Sequence, residues 1–138
     1  MPVLERLAGL RVVADPAALD SAGWQGKDVT VLRFAPDDAF GLGALTVALD
    51  DEHAIVATEV GYVGVWLPVD QVLPHLEWPL PSARPVLAQG AVAGVPAKVW
   101  LPGAADGRGD ARGDGRGAGD VLLLTAAAYA AELAERLR

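Results

Sequence analysis

Between Ala44 and Leu67 the chain reads ALTVALDDEHAIVATEVGYVGVWL, three apolar runs separated by an acidic corner and a glycine. The runs Ala44–Leu49, Ala54–Val60 and Tyr62–Leu67 are rich in strand-favouring residues and predict β-strands. Asp50-Asp51-Glu52-His53 is a common length for a hairpin loop, so the first two runs read as a hairpin. Gly61 then bends the chain into the third. All three runs are apolar at successive positions. Both faces of a sheet built from them need cover, from helices, a second sheet or a partner.

The same reading extends along the rest of the chain. Residues 2–8 predict a short helix, with Pro2 in its first turn, Leu4 and Leu7 on one face and Gly9 as its stop. Leu10–Ala14 predicts a strand. Asp15 caps a helical turn that begins at Pro16 and is anchored by Leu19. Ser21–Asp28 reads as a turn-rich connection carrying Trp24. Val29–Phe34 alternates as a strand, with Val29, Val31 and Arg33 on one face and Thr30, Leu32 and Phe34 on the other. Phe40-Gly41-Leu42-Gly43 reads as an irregular loop or bend.

Val69, Val72, Leu73 and Leu76 fall at helical spacing, so Pro68–Leu76 predicts a short amphipathic helix, provided Pro74 lies in its first turn. Trp78-Pro79-Leu80-Pro81 is extended, because a residue before proline is pushed out of the helical region. Arg84–Val92 and Pro96–Leu101 pair around Ala93-Gly94-Val95, with Lys98 and Trp100 on one face. Trp66 and Trp100, both in strands, are expected in the core. A flexible Gly/Arg/Asp-rich loop at 103–119 has almost nothing to bury. Val121–Leu124 is the last strand. Thr125 caps a final helix with Tyr129, Leu133 and Leu137 on one face and a Glu132–Arg136 pair outside. The connections are mostly too short for helical crossovers. The expectation is a single α+β domain: a mostly antiparallel sheet of about six to eight strands, with short helices at the N-terminus, mid-chain and C-terminus.

Composition narrows the chemistry. With 138 residues, 52% apolar and 21% charged, the chain has a globular balance and length enough for its own core. It has no cysteine, which removes disulfides, thiol nucleophiles, iron–sulfur sites and the usual structural zinc. Its net charge of −7, with no basic stripe, argues against nucleic acid and anionic membranes as partners. Acidity permits a basic protein partner and also keeps proteins in solution. Glu5, Arg6 and Arg11 interrupt the N-terminal apolar stretch, so it does not read as a signal peptide, and a cytoplasmic location is expected. No apolar run is long enough to span a bilayer. The wealth of Ala, Gly, Arg and Asp fits a high-GC bacterial coding bias.

Few residues suggest catalysis. The acidic corner could bind a divalent cation or exchange protons. However, adjacent strand residues point to opposite faces, and Asp belongs in turns for backbone reasons. His53, Glu59, His75 and Glu77 form a possible polar site, without the spacing of a metal motif. Gly41 and Gly43 lack the lysine and hydroxyl of a phosphate loop. Ser21 and Ser82 lie outside any nucleophile-elbow pattern. No catalytic, cofactor-binding or metal-binding residue is assigned, and no cofactor is expected. Trp24 and Trp78 lie in Gly- and Pro-bounded connections. With Leu80 and Tyr62 they are the candidates for contact with a partner or ligand. Arg108-Gly109-Asp110 and Arg112-Gly113-Asp114 spell an adhesion tripeptide twice, which a repetitive loop produces by chance.

The C-terminal third, AGVPAKVWLPG through VLLLTAAAYAAELAERL, resembles the last strands and helix of the small gamma subunit of heterotetrameric sarcosine oxidases, of the aminomethyltransferase-like group. The resemblance covers under half of the chain and includes no diagnostic motif. It implies a non-catalytic subunit beside a larger oxidoreductase.

Three functions fit these observations. The first is a non-catalytic protein-interaction or assembly module, such as an accessory subunit of a larger bacterial complex or part of a homo-oligomer. It predicts a sheet face or edge that stays exposed in the monomer. The second is a small-molecule-binding protein or enzyme with a pocket lined by Asp, Glu, His and Tyr. The third is an acidic inhibitor or immunity-type protein for a basic partner.

Overall fold

In the computed structural model, which describes residues 3–103 and 119–138, the strand signal becomes one antiparallel sheet of seven strands. They are β1 (Glu5–Val13), β2 (Gly23–Ala35), β3 (Asp38–Ala48), β4 (Ile55–Pro68), β5 (Val86–Val92), β6 (Val95–Leu101) and β7 (Asp120–Ala126). Their order across the sheet is β2-β3-β1-β4-β7-β6-β5. The helices are short: α1 (Pro16–Asp20), α2 (Val69–Val72) and α3 (Ala130–Arg136). Single 3₁₀ turns at Leu73–His75 and Ala127–Tyr129 adjoin the last two. The described residues are mostly sheet, with 18% helix.

Several local expectations give way to sheet pairing. The helix expected over residues 2–8 does not form in its described part, because Glu5 onwards belongs to β1, and Pro2 lies outside the described residues. Gly9, expected to stop that helix, pairs with Leu42 in the β1–β3 ladder. Phe40–Gly43 is not a loop but part of β3, and Trp24 lies in β2 rather than in a connection. The hairpin expected between Ala44–Leu49 and Ala54–Val60 does not form. β1 lies between β3 and β4, so two runs adjacent in sequence are not neighbours in the sheet. Thr125 caps no helix. It is buried within β7, and its hydroxyl donates to the Pro96 carbonyl at 2.7 Å. Pro74 falls in the first turn of the 3₁₀ segment, which limits α2 to four residues.

Contacts divide the chain into two compact units, Leu7–Tyr62 and Met1–Arg6 with Val63–Arg138. In the first, pairing sets Arg11, Phe40 and Leu32 in one row across β1, β3 and β2. Val12, Ala39 and Arg33 form the next row and therefore lie on the opposite face. That second face carries a small core of Val12, Ala14, Leu19 and Ala39, with Trp24, Val31, Val47 and Leu49 packed against it. Arg33 holds α1 there, donating to Asp20 at 2.8 Å and to the Pro16 carbonyl at 3.1 Å.

The β2–β3 hairpin folds back over this face. Trp24 pairs with Val47, yet its ring lies directly on Gly41. On a straight strand, the six residues from Gly41 to Val47 would span about 20 Å. The bend falls where the register slips between Gly26 and Thr30, opposite Gly43 with φ +84°. Gly43 supplies a backbone conformation that side chains disfavour, and Gly41 leaves room for the indole.

The second unit is built on β5, β6 and β7. β6 alternates cleanly: Val95, Ala97, Val99 and Leu101 are buried, and Lys98 and Trp100 lie half-buried on the other face. Trp66 is half-buried as well, so neither strand tryptophan joins the fully buried core. β7 is buried at every position from Val121 to Thr125, as expected of a strand interior to a sheet. Val92, Val95, Leu101, Leu123, Leu133 and Leu137 form the centre of this core. Ala93 and Gly94, both with positive φ, make the two-residue turn between β5 and β6. The Ala93 N–H donates to the His75 carbonyl at 2.7 Å, and Arg136 donates to the Ala93 carbonyl at 2.9 Å. Arg136 also pairs with Glu132, as expected from their spacing. Residues 104–118, which hold most of the expected flexible loop and both Arg-Gly-Asp triplets, lie outside the described residues.

The bend makes Gly41 a sensitive position. A methyl at 41 would fall inside the van der Waals envelope of the Trp24 ring. Gly41→Ala is expected to lower unfolding free energy by about 1–3 kcal/mol, as overpacking does. Urea unfolding followed by tryptophan fluorescence measures it. Stability equal to the parent would show that the indole does not depend on that space.

Candidate interaction surface

β4 has two unlike halves. Val63, Gly64 and Leu67 in its second half are buried. In its first half Ile55, Val56, Ala57 and Thr58 are all exposed, although they alternate between the two faces. Ile55 is 66% exposed, Val56 46% and Val60 45%, and Leu45 on β3 is 79% exposed. No other stretch among the described residues combines three exposed large apolar side chains within six residues of one strand.

β4 lies between β1 and β7 in the sheet order. The Val69 N–H donates to the Gly119 carbonyl at 3.3 Å, which sets the start of β7 beside the end of β4. Ile55–Glu59 belongs to the other half of β4, in the unit Leu7–Tyr62. It has no proline, and its only charge is Glu59.

A charged row holds this segment to the sheet. Arg11 on β1 donates from Nε and Nη2 to both carboxylate oxygens of Asp38 on β3, at 2.5 and 2.7 Å. Its Nη1 donates to Glu59 on β4 at 2.9 Å. The guanidinium also lies over the Phe34 ring, 4.7 Å from its centroid, with the Tyr62 ring at 6.0 Å. Phe34, Phe40 and Tyr62 pack with centroids 5.3–6.1 Å apart. The Asp38 hydrogen bonds push the Arg11 pKa still higher, so it remains charged throughout the working range. Its donors and charge are used within the chain. The cluster positions the first half of β4 within its unit.

The acidic corner is turn chemistry. Asp51 accepts from the His53 N–H at 2.9 Å through one oxygen and from the Asp15 N–H at 2.8 Å through the other. The first closes an Asx-type turn, and the second ties the corner to the start of α1. α1 thus takes its help from Asp51, since Asp15 makes no side-chain cap bond. The two N–H donors, Asp15 first, lower the Asp51 pKa.

The other candidate residues are scattered. His53 is 88% exposed and reaches only Glu52, at 3.4 Å. Glu59 and Tyr62 meet in the Arg11 cluster. His75 and Glu77 belong to the other unit, where His75 contributes its carbonyl to the β5–β6 turn and Glu77 is exposed. Among the described residues, no three His, Asp or Glu side chains gather to hold a metal ion. Trp24 lies on Gly41. Trp78 folds back onto β5, donating its indole N–H to the Ala91 carbonyl at 2.8 Å, and Leu80 packs against the core. All four contact candidates, Trp24, Tyr62, Trp78 and Leu80, are half-buried within their own units. The exposed residues Leu45, Ile55 and Val56 and the clamp Arg11–Asp38 were not singled out by motif. The signal for them was two-sided apolarity in β4 and one arginine inside the apolar run of β1.

Two outcomes test the clamp and the corner. Arg11→Met is expected to cost about 1.5–3 kcal/mol in urea unfolding, with Arg11→Lys recovering only part, because an ammonium cannot bond Asp38 in a fork. Full recovery by lysine would show that charge alone suffices. At the corner, folding lowers the Asp51 pKa from its ordinary 3.8, so its contribution is complete above that value. The stability difference between the parent and Asp51→Asn should be constant at neutral pH and shrink as pH falls below 3.8. A difference that grows on acidification would contradict this assignment.

No family profile matches this chain, and neither the curated proteins nor the solved structures compared with it include a match.

Proposed function

We propose that this chain is a non-catalytic protein-interaction or assembly module, such as an accessory subunit, and that it acts through the first half of β4. The observation that supports this is the run Ile55–Thr58, exposed on both faces of β4. An exposed, apolar strand suits strand addition, in which main-chain hydrogen bonds supply affinity and alternate side chains supply selectivity. Burying Ile55 and Val56 would add about 1–2 kcal/mol each. Leu45, 79% exposed on β3 of the same unit, adds apolar surface to be covered. The polar groups nearby act within the fold: Arg11 is committed to Asp38 and Glu59, and Asp51 to backbone amides.

Site-specific photo-cross-linking in the native cell tests this. A photoreactive residue at Val56 is expected to give a discrete protein adduct, and one at Gln71, exposed on α2, is not. Equal labelling at the two positions, or none at Val56, would remove β4 as a contact surface.

A further inference from the structure

We infer that Trp78 is an autoinhibitory guard: from within the same chain it occupies the place of a strand that would otherwise add to β5. The inference is independent of the reading of β4, since every contact it uses lies in the unit that holds Val63–Arg138.

β5 is the last strand of the sheet, so β6 lies on one of its sides and no strand among the described residues lies on the other. The register shows which main-chain groups face that outer side. Ala93 and Gly94 make a two-residue turn with positive φ, which closes on Val92 and Val95 as a hydrogen-bonded pair. Bonded and non-bonded pairs alternate from there. Gly90, Ala88 and Val86 therefore bond to β6, while Ala91, Gln89 and Leu87 turn their main-chain groups outward. Pro96 agrees with this. It stands opposite Ala91, has no N–H, and its carbonyl accepts from Thr125 on β7.

Trp78 sits on that outer side. Its indole N–H donates to the Ala91 carbonyl at 2.8 Å, where an N–H of an added strand would bond. The ring lies against Gly90, so closely that a Cβ there would be 2.9 Å from it. The chain on either side of Trp78 is fixed as well. The His75 carbonyl accepts from the Ala93 N–H at 2.7 Å, and Leu80 packs against the core. Pro79 and Pro81 supply no N–H, so this segment closes the edge without offering a complete new one.

Self-association of the intact chain tests the guard. By light scattering, Trp78→Ala is expected to associate at a concentration about tenfold or more below the parent's, with its far-UV circular dichroism unchanged. Gly90→Ala keeps the tryptophan but fills its seat, and is expected to shift association the same way. Adding Ala91→Lys to Trp78→Ala places a lysine on the opened edge. Association should return to the parent's concentration range, while the urea midpoint stays at the Trp78→Ala value. That split separates edge pairing from loss of stability, because the lysine restores none of the tryptophan's packing. Equal association of the parent and both single variants overturns the inference. So does association that Ala91→Lys leaves unchanged. Loss of the native fold in both single variants also overturns it, because Trp78 would then be a core residue and not a guard.

Discussion

One guanidinium joins three strands. Arg11 stands in the middle strand of β3-β1-β4, forks onto Asp38 on one side and reaches Glu59 on the other. A fork to a carboxylate is among the stronger hydrogen-bonded arrangements available to a protein, and partial shielding from water strengthens it. The three aromatic rings beside it, Phe34, Phe40 and Tyr62, come from β2, β3 and β4. The same site therefore gathers all four strands of its unit by charge and by apolar contact. Without such a fastening, a segment as exposed as Ile55–Thr58 would have only main-chain bonds to hold it extended.

The opposite face of that unit solves a different problem. A short chain segment has few large apolar residues, and α1 is only five residues long. The β2–β3 hairpin covers the shortfall by bending back at Gly43, so that Trp24 and Val47 join the core that Val12 and Leu19 begin. The loop after β3 then ends beside the start of α1, where the Asp51 carboxylate accepts from Asp15. An acidic corner that invites a catalytic interpretation is the fastening at the end of this fold-back. Its two oxygens are aimed at amides of the chain itself.

What was legible depended on how far apart in sequence the deciding contacts lay. The β5–β6 hairpin, α1 with Leu19 as its anchor and the Glu132–Arg136 pair are settled within a few residues, and the pattern was enough to place them. The β3–β4 pairing was not, because β1, some forty residues away, enters between them. The N-terminal residues follow the same rule: Leu4 and Leu7 suit a helix, but pairing of β1 with β3 and β4 overrides that preference. Trp24 and Trp78 looked available because glycines and prolines surround them. In the fold the rings lie on glycines distant in sequence, Trp24 on Gly41 and Trp78 beside Gly90. The Arg11 clamp draws on residues 11, 38 and 59, and no spacing rule connects them.

The two-sided apolarity of the central runs was the most informative feature of the sequence, and its two halves resolve differently. Burial within the sheet accounts for Val63 to Leu67. It does not account for Ile55 to Thr58, where β-branched residues face outward on both sides. Exposed strands commonly carry lysine or proline, which discourage unwanted pairing. Ile55–Thr58 carries neither, and Glu59 beside it accepts from Arg11 of the same chain. The hydrogen bond that secures β4 within its unit thus also takes up the one charge at this end of the exposed run.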